Sequence, residues 1–263
     1  MKVFIAVDME GISGVCRTEQ VSGPGPLFEE GRQCMTRDAN ACVEGCFRGG
    51  AKKVTVQDIH SHGMSMLWDQ VDPRVELIQG TNDYGRMTDI GQYDALILLG
   101  YHSMAGTFYG DLDHTMCPRR WQNFWLNGKK AGEFAIDAGI AGDKGVPVIM
   151  TSGDDRLCRE AKQLIKGVYA AQVKTGLSSE GARLLSPKAA ERVIRDTAEA
   201  ACRNYRSIKP FKVKKPVRMR IELTERTPIP ALHANLPFRR IFDRRSFEVT
   251  GATVHEALFR LMV

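Results

Sequence analysis

The sequence predicts an α/β fold, a mainly parallel sheet flanked by helices, followed by a smaller C-terminal α+β domain. Three observations predict it. Through the first two thirds of the chain, short apolar runs alternate with stretches of helical periodicity, the order that builds parallel sheets. The run from Ala95 to Leu99 is apolar throughout and ends at Gly100, as expected of a strand buried on both faces. From residue 186 the order changes to one long helical pattern and then well-separated strands.

Val3 to Val7 reads as the first strand. A helix is expected from Thr36 as N-cap, with apolar positions at Ala39, Cys42, Val43, Cys46 and Phe47, closed by Gly49 and Gly50. Val54 to Val56 is the second strand and Val75 to Ile78 a third, ahead of the Ala95 strand. Asn127 and Gly128 supply the turn of a hairpin between Phe124 to Leu126 and the residues after Lys129. A helix from Phe134 to Asp143 starts just past Glu133. Val146 to Met150 is a further buried strand, followed by the acidic turn Gly153, Asp154, Asp155 and another helix. The pattern loosens between Ser178 and Ser186. There Ser186 and Pro187 offer an N-cap followed by proline at the first helical position. We place the domain boundary at this point, with residues 1–185 as one unit and 186–263 as the other. The second unit is expected to hold a helix to Tyr205, strands at Val217 to Leu223 and Ser246 to Thr250, and a closing helix from Val254.

Composition narrows the function. With 263 residues, 43% of them apolar, the chain can bury a core without disulfides. The apolar run that opens it stops at Asp8, too short for a signal peptide or a membrane span, so no membrane association is expected. Seven cysteines without a CxxC pair suit reduced thiols in a cytoplasm. The net charge of +6 gathers partly between Lys209 and Arg220, but that segment lacks the interleaved aromatics of a single-strand binder. Nucleic acid is therefore not expected as a partner.

The chemistry lies at strand ends. Asp8 and Glu10 follow the first strand, Asp58 and His60 the second, and His102 the Ala95 strand. In an open parallel sheet these ends share one edge, where ligands bind, so the groups are expected to converge. Asp8, Glu10 and Glu133 with His60 and His102 make three carboxylates and two imidazoles. That is too many donors for one closed tetrahedral site and suits two divalent ions sharing a carboxylate. Imidazole favours zinc, although Mn, Co or Fe fit the same donors. His114 is expected to transfer protons or to stabilise a developing oxyanion, because the donor set is sufficient without it. Asp58 stands two residues before His60 and can orient it. Asp154 and Asp155 either cap the next helix or bind a substrate amine. His62 is either exposed or supports the site, and His233 and His255 carry no motif.

Six segments together resemble the DppA-type D-aminopeptidases, peptidase family M55. They are VDMEGISG at Val7 to Gly14, DIHSHG at Asp58 to Gly63, GYHSMAGT at Gly100 to Thr107, DHTM at Asp113 to Met116, NGKKAGEF at Asn127 to Phe134, and SGDDR at Ser152 to Arg156. The resemblance runs in order along nearly the whole chain. It implies two zinc ions per subunit, with Asp8 shared, Glu10 and His60 completing one ion's protein ligands, and His102 and Glu133 the other's. It implies a catalytic role for His114. It also implies release of N-terminal D-residues from short peptides or amides, and a homo-oligomer, a decamer, in which residues 186–263 serve assembly. Departures from the family pattern at Met64 to Met66 and at Phe108 and Tyr109 flank the expected pocket. The readings kept beside this one are a dinuclear metal hydrolase of another amide or ester, and a non-catalytic metal-binding relative.

Overall fold

The computed structural model describes residues 1–81, 85–225 and 236–262. In chain order the elements are β1 (Lys2–Val7), α1 (Thr18–Val21), α2 (Pro26–Arg48), β2 (Lys53–Asp58), β3 (Glu76–Ile78), β4 (Ala95–Leu99), β5 (Trp121–Leu126) and β6 (Lys129–Lys130). They continue as α3 (Glu133–Asp143), β7 (Val148–Asp154), α4 (Asp155–Leu164), β8 (Tyr169–Ser178), β9 (Gly181–Leu184), α5 (Pro187–Arg203), β10 (Val217–Leu223), β11 (Arg239–Ile241), β12 (Ser246–Gly251) and α6 (Val254–Met262).

Two sheets organise the described residues. The larger runs β3-β2-β1-β4-β7-β8-β9, parallel except where β9 returns antiparallel to β8. Every residue of β4 is buried, which is why its sequence is unbroken by polar groups. The smaller sheet, β11-β12-β10-β5-β6, is antiparallel. The α/β expectation is met, with a small antiparallel sheet beside the large one.

The expected boundary after residue 185 does not follow the division between the sheets. β5 and β6, from the first 185 residues, pair with β10 in the small sheet. α5, from beyond residue 186, lies against α2 and β8 of the large one. Its closeness to α2 depends on Gly45, where a Cβ would stand 2.2 Å from the Arg195 carbonyl oxygen. Buried Ala198 and Cys202 complete this contact with Cys42 and Cys46, the small apolar groups their spacing suggests.

Helix α2 begins at Pro26, ten residues before the expected start. Pro26 occupies the first turn, where its missing N–H costs nothing. Thr36, read as an N-cap, is interior: its hydroxyl donates back to the Arg32 carbonyl (2.9 Å) and accepts from the Leu67 amide (3.0 Å). The 127–128 turn is as expected, with φ of 49° at Asn127 and 81° at Gly128, the signs of a type I′ hairpin. Neither β8 nor β9, the latter within the stretch where the pattern loosens, is expected from the sequence. Buried Lys174 sits in the middle of β8 and breaks the apolar run that would have marked a buried strand.

Candidate metal centre

Strand order alone brings the donors together. β2 and β4 flank β1, with Val7 beside Asp58 on one side and beside Leu99 on the other. Adjacent strands lie about 4.8 Å apart, so residues just past these three ends are neighbours. The Asp8 amide donates to the Leu99 carbonyl (2.9 Å) and the Gly11 amide to the Gly100 carbonyl (2.7 Å), which stitches the β1 and β4 extensions together. Gly100 makes this possible. Its φ is +71°, and a Cβ there would stand 2.3 Å from the Asp8 carbonyl oxygen.

Two groups of donor atoms result. Asp8, Glu10 and His60 form one, and His102, His114 and Glu133 the other, each with ligand-type atoms within 4.8 Å of one another. His60 Nε2 is 3.5 Å from Glu10 Oε1. His102 Nε2 is 3.5 Å from Asp8 Oδ2 and 3.4 Å from Glu133 Oε1, so Asp8 joins the two groups. His114 Nε2 is 3.7 Å from Glu133 Oε1, and its ring stacks on His102 at 3.9 Å between centroids. Asp8, Glu10, His60, His102 and Glu133 are all buried.

The rings are oriented by what holds their other nitrogen. A carbonyl can only accept, so His102 Nδ1 donates to Ser103 O (3.1 Å) and His114 Nδ1 to Leu112 O (3.0 Å), which turns each Nε2 towards the carboxylates. His60 Nδ1 is 2.8 Å from Ser65 Oγ. Asp58 shapes that loop: its carboxylate accepts from the amides of His60 (3.2 Å), Ser65 (2.6 Å) and Met66 (2.8 Å). Asp58 thus acts on His60 through Ser65. Burial raises the Asp58 carboxyl above the usual range, against the pull of those three amides.

Electrostatics identify what the cluster wants. Burial and the charges of Glu10 and Glu133 push Asp8 well above the ordinary carboxylate range. Against burial, Glu10 raises His60 to about 9, and Glu133 raises His102 to about 10. Burial and the neighbouring His102 instead lower His114. Glu133 falls to about 2 despite its burial, through His102 and then Arg86. Three crowded carboxylates therefore seek positive charge, while the buried Glu10 Oε2 and His102 Nε2 lack hydrogen-bond partners among the described residues. Divalent cations meet both needs, and the residue types fit zinc.

Comparison with known proteins agrees with this chemistry. The chain matches the peptidase M55 family, described as D-aminopeptidase, over residues 1–263. It belongs to that family. It is 34% identical over 213 residues to a D-aminopeptidase of Bacillus subtilis (strain 168), covering 80% of this chain and 77% of that protein. It is also similar in structure to the Zn-dependent D-aminopeptidase DppA from Bacillus subtilis, described as a self-compartmentalizing protease. The TM-score is 0.92 at 29% identity, with 100% of this chain and 95% of that one covered.

Not every expected residue of this M55 member reaches the cluster. Asp154 caps α4, accepting from the Leu157 amide (2.7 Å), and its second oxygen takes the Asp111 amide (3.0 Å). Asp155 accepts from the Gly176 amide (3.0 Å). Both accept structural hydrogen bonds, and neither belongs to the two donor groups. His62 is exposed, and His233 lies outside the described residues.

Other residues around the cluster gave no sequence signal. Lys174 is fully buried, its Nζ within 2.5 Å of the Glu10 and Val15 carbonyl oxygens and 2.6 Å from Asp111 Oδ2. It ties the loop carrying Glu10 to the loop carrying His114. Glu160 accepts from the Met104 amide (3.0 Å) and from Gly132, steadying the backbone beside His102 and Glu133; burial pushes its carboxyl up to about 7, against those amides. Arg86 reaches Glu133 from a loop without periodicity.

Proposed function

We propose that this chain is a zinc-dependent aminopeptidase that releases N-terminal D-residues, of the D-Ala type, from short peptides or amides, with two zinc ions per subunit. One observation carries the reading: the donor group at Asp8, Glu10 and His60 and the group at His102, His114 and Glu133 meet where Asp8 Oδ2 approaches His102 Nε2 at 3.5 Å. A carboxylate between two donor sets is the arrangement that pairs metal ions. Family membership supports the D-stereospecific activity.

Asp8 would be shared, Glu10 and His60 would hold one ion, and His102 and Glu133 would hold the other. When bound, the ions supply Lewis acidity to a scissile carbonyl and bring the pKa of water towards neutrality. His114 does the proton work of the chain. Its Nδ1 is committed to Leu112 O, so Nε2 is free to take a proton and return it to the leaving amine. Burial, with His102 beside it, lowers the His114 pKa below the ordinary imidazole value, which suits Nε2 to accept a proton. The stack on His102 fixes its plane towards the donor atoms.

Assembly into a self-enclosing homo-oligomer, a decamer, is part of the same reading. Its support is the description of the Bacillus subtilis structure and the apolar surface of Trp68, Phe108 and Phe259, which are 76%, 81% and 66% exposed. A cytoplasmic location is supported by seven unpaired cysteines. Among the described residues no helix is long and apolar enough to cross a membrane.

The test is a stereochemical pair. Zinc-loaded protein is given D-alanyl and L-alanyl amides and dipeptides, beside a generic phosphoester. Turnover of the D-forms alone is expected; equal rates on the L-forms or cleavage of only the phosphoester would overturn the assignment.

A further inference from the structure

Beneath Glu133 lies a buried polar unit that the donor set does not use. Arg86 grips Asp137 with two hydrogen bonds, Nε to Oδ1 and a terminal nitrogen to Oδ2, each 2.8 Å. The same terminal nitrogen donates to Glu133 Oε2 at 3.3 Å. Tyr101 completes the unit, its hydroxyl donating to Asp137 Oδ2 at 2.6 Å. The Asp137 side chain has no exposure and that of Arg86 only 19%.

The connectivity is specific. Asp137 stands one turn after Glu133 on α3, so both carboxylates lie on one helix face and one guanidinium spans them. Tyr101 immediately precedes His102 at the end of β4. The unit therefore joins the two elements that deliver His102 and Glu133, and none of its members touches Asp8, Glu10 or His60 through a hydrogen bond described above. The two oxygens of Glu133 are also divided. Oε1 faces His102 and His114 and accepts from the Met116 amide at 2.6 Å, while Oε2 turns to Arg86.

Charge explains why two residues are needed. An arginine alone beside a cation site would repel the cation it helps to bind. Paired bidentately with Asp137, Arg86 is close to neutral as a unit and can still donate to Glu133. Its fork restrains the carboxylate at little electrostatic cost to the ion.

We propose that Arg86, held by Asp137 and Tyr101, is a positioning residue for one of the two metal sites: it fixes Glu133 so that only Oε1 is presented beside His102, and it leaves the Asp8, Glu10 and His60 site untouched. This rests on the paired-zinc reading above, and deepens it by making the two sites separately adjustable.

Chelator-competition titration with zinc, alone and without substrate, tests it on the full chain. The wild type is measured first, and two binding events per chain are required; fewer would defeat the paired-zinc reading and this inference with it. Arg86→Met alone would strand the Asp137 charge, so the variant is Arg86→Met with Asp137→Asn, which keeps an acceptor for Tyr101. Residues that orient metal ligands typically change affinity about 10- to 100-fold. The double variant is expected to bind one zinc with wild-type affinity and the other about 10- to 100-fold more weakly, while Arg86→Lys, which keeps the charge without the fork, falls between. With two wild-type binding events in hand, unchanged affinity at both sites of the double variant would overturn the inference alone. Equal weakening at both sites would also overturn it, by showing general damage.

Discussion

Removing the buried ammonium of Lys174 tests how the two functional loops are held. In Lys174→Met the stem is retained while the Glu10 and Val15 carbonyl oxygens and the Asp111 carboxylate lose their shared donor. At 2.6 Å the Lys174–Asp111 attraction is about 6 kcal/mol gross for an effective dielectric near 20, much of it offset by desolvation of both ions. Breaking a buried pair from one side costs roughly 3–5 kcal/mol, because the stranded charge stays behind. In a chain of this size that lowers Tm by roughly 10 °C. The pH dependence gives a sharper signature. Burial already raises Asp111 above the ordinary range, against the pull of Lys174. Without the lysine it rises further, so the variant's folded state binds a proton that the unfolded chain, near pKa 3.9, releases. The deficit against wild type is therefore small at low pH and grows as pH rises through the new pKa. Thermal denaturation at fixed protein and zinc concentrations, at pH 5, 6.5 and 8, reads it. A deficit below about 1 kcal/mol, or one that does not change with pH, would refute the clamp. Adding Asp111→Asn should restore part of the loss at pH 8 and remove its pH dependence.

Three further outcomes are expected. His114→Ala should keep both zinc ions and lose most turnover, about 100- to 10,000-fold in kcat, as for a general acid–base group; loss of one ion on elemental analysis would make His114 a ligand. Asp154→Ala should cost about 1–2 kcal/mol by urea denaturation through loss of the α4 cap, with zinc content unchanged; a drop in zinc would return Asp154 to the site. Burial raises Asp38 to about 6 against two hydrogen bonds from Ser13, so its folded pKa exceeds its unfolded one. That contribution is present at pH below about 4 and is lost as pH rises through 6, a swing of roughly 3 kcal/mol. Asp38→Asn should accordingly gain on wild type by that order between pH 4 and 7; a constant difference would contradict it.

Four of the five proposed metal donors were brought together as the sequence predicts because each follows a strand, and a parallel sheet turns sequence order into spatial order along one edge. Asp8, Glu10, His60 and His102 needed only the ends of β1, β2 and β4, whose apolar runs are unmistakable. The Asn127–Gly128 hairpin and the Ser186–Pro187 start of α5 were equally plain, because local backbone chemistry sets them. What hid was tertiary. Lys174 reads as a solvent residue until Asp111 and two carbonyl groups surround it, and its charge concealed β8. Arg86 belongs to an irregular loop, so nothing local announces its grip on Asp137, although Asp137 itself stands a visible four residues after Glu133. Thr36 looked like a cap because its hydroxyl makes a backbone hydrogen bond, but that bond runs to Arg32 inside α2. The pairing of β5 with β10 likewise joins segments nearly a hundred residues apart, which no periodicity encodes.

Zinc stoichiometry read against turnover tests the metal centre most directly. Chelator-stripped protein would be titrated with zinc while D-alanyl amide hydrolysis is followed, and metal per chain counted after dialysis. Two equivalents retained per chain, with turnover appearing as the second is filled, is the expected result. Full turnover in the stripped protein, or saturation at a single equivalent, would contradict it.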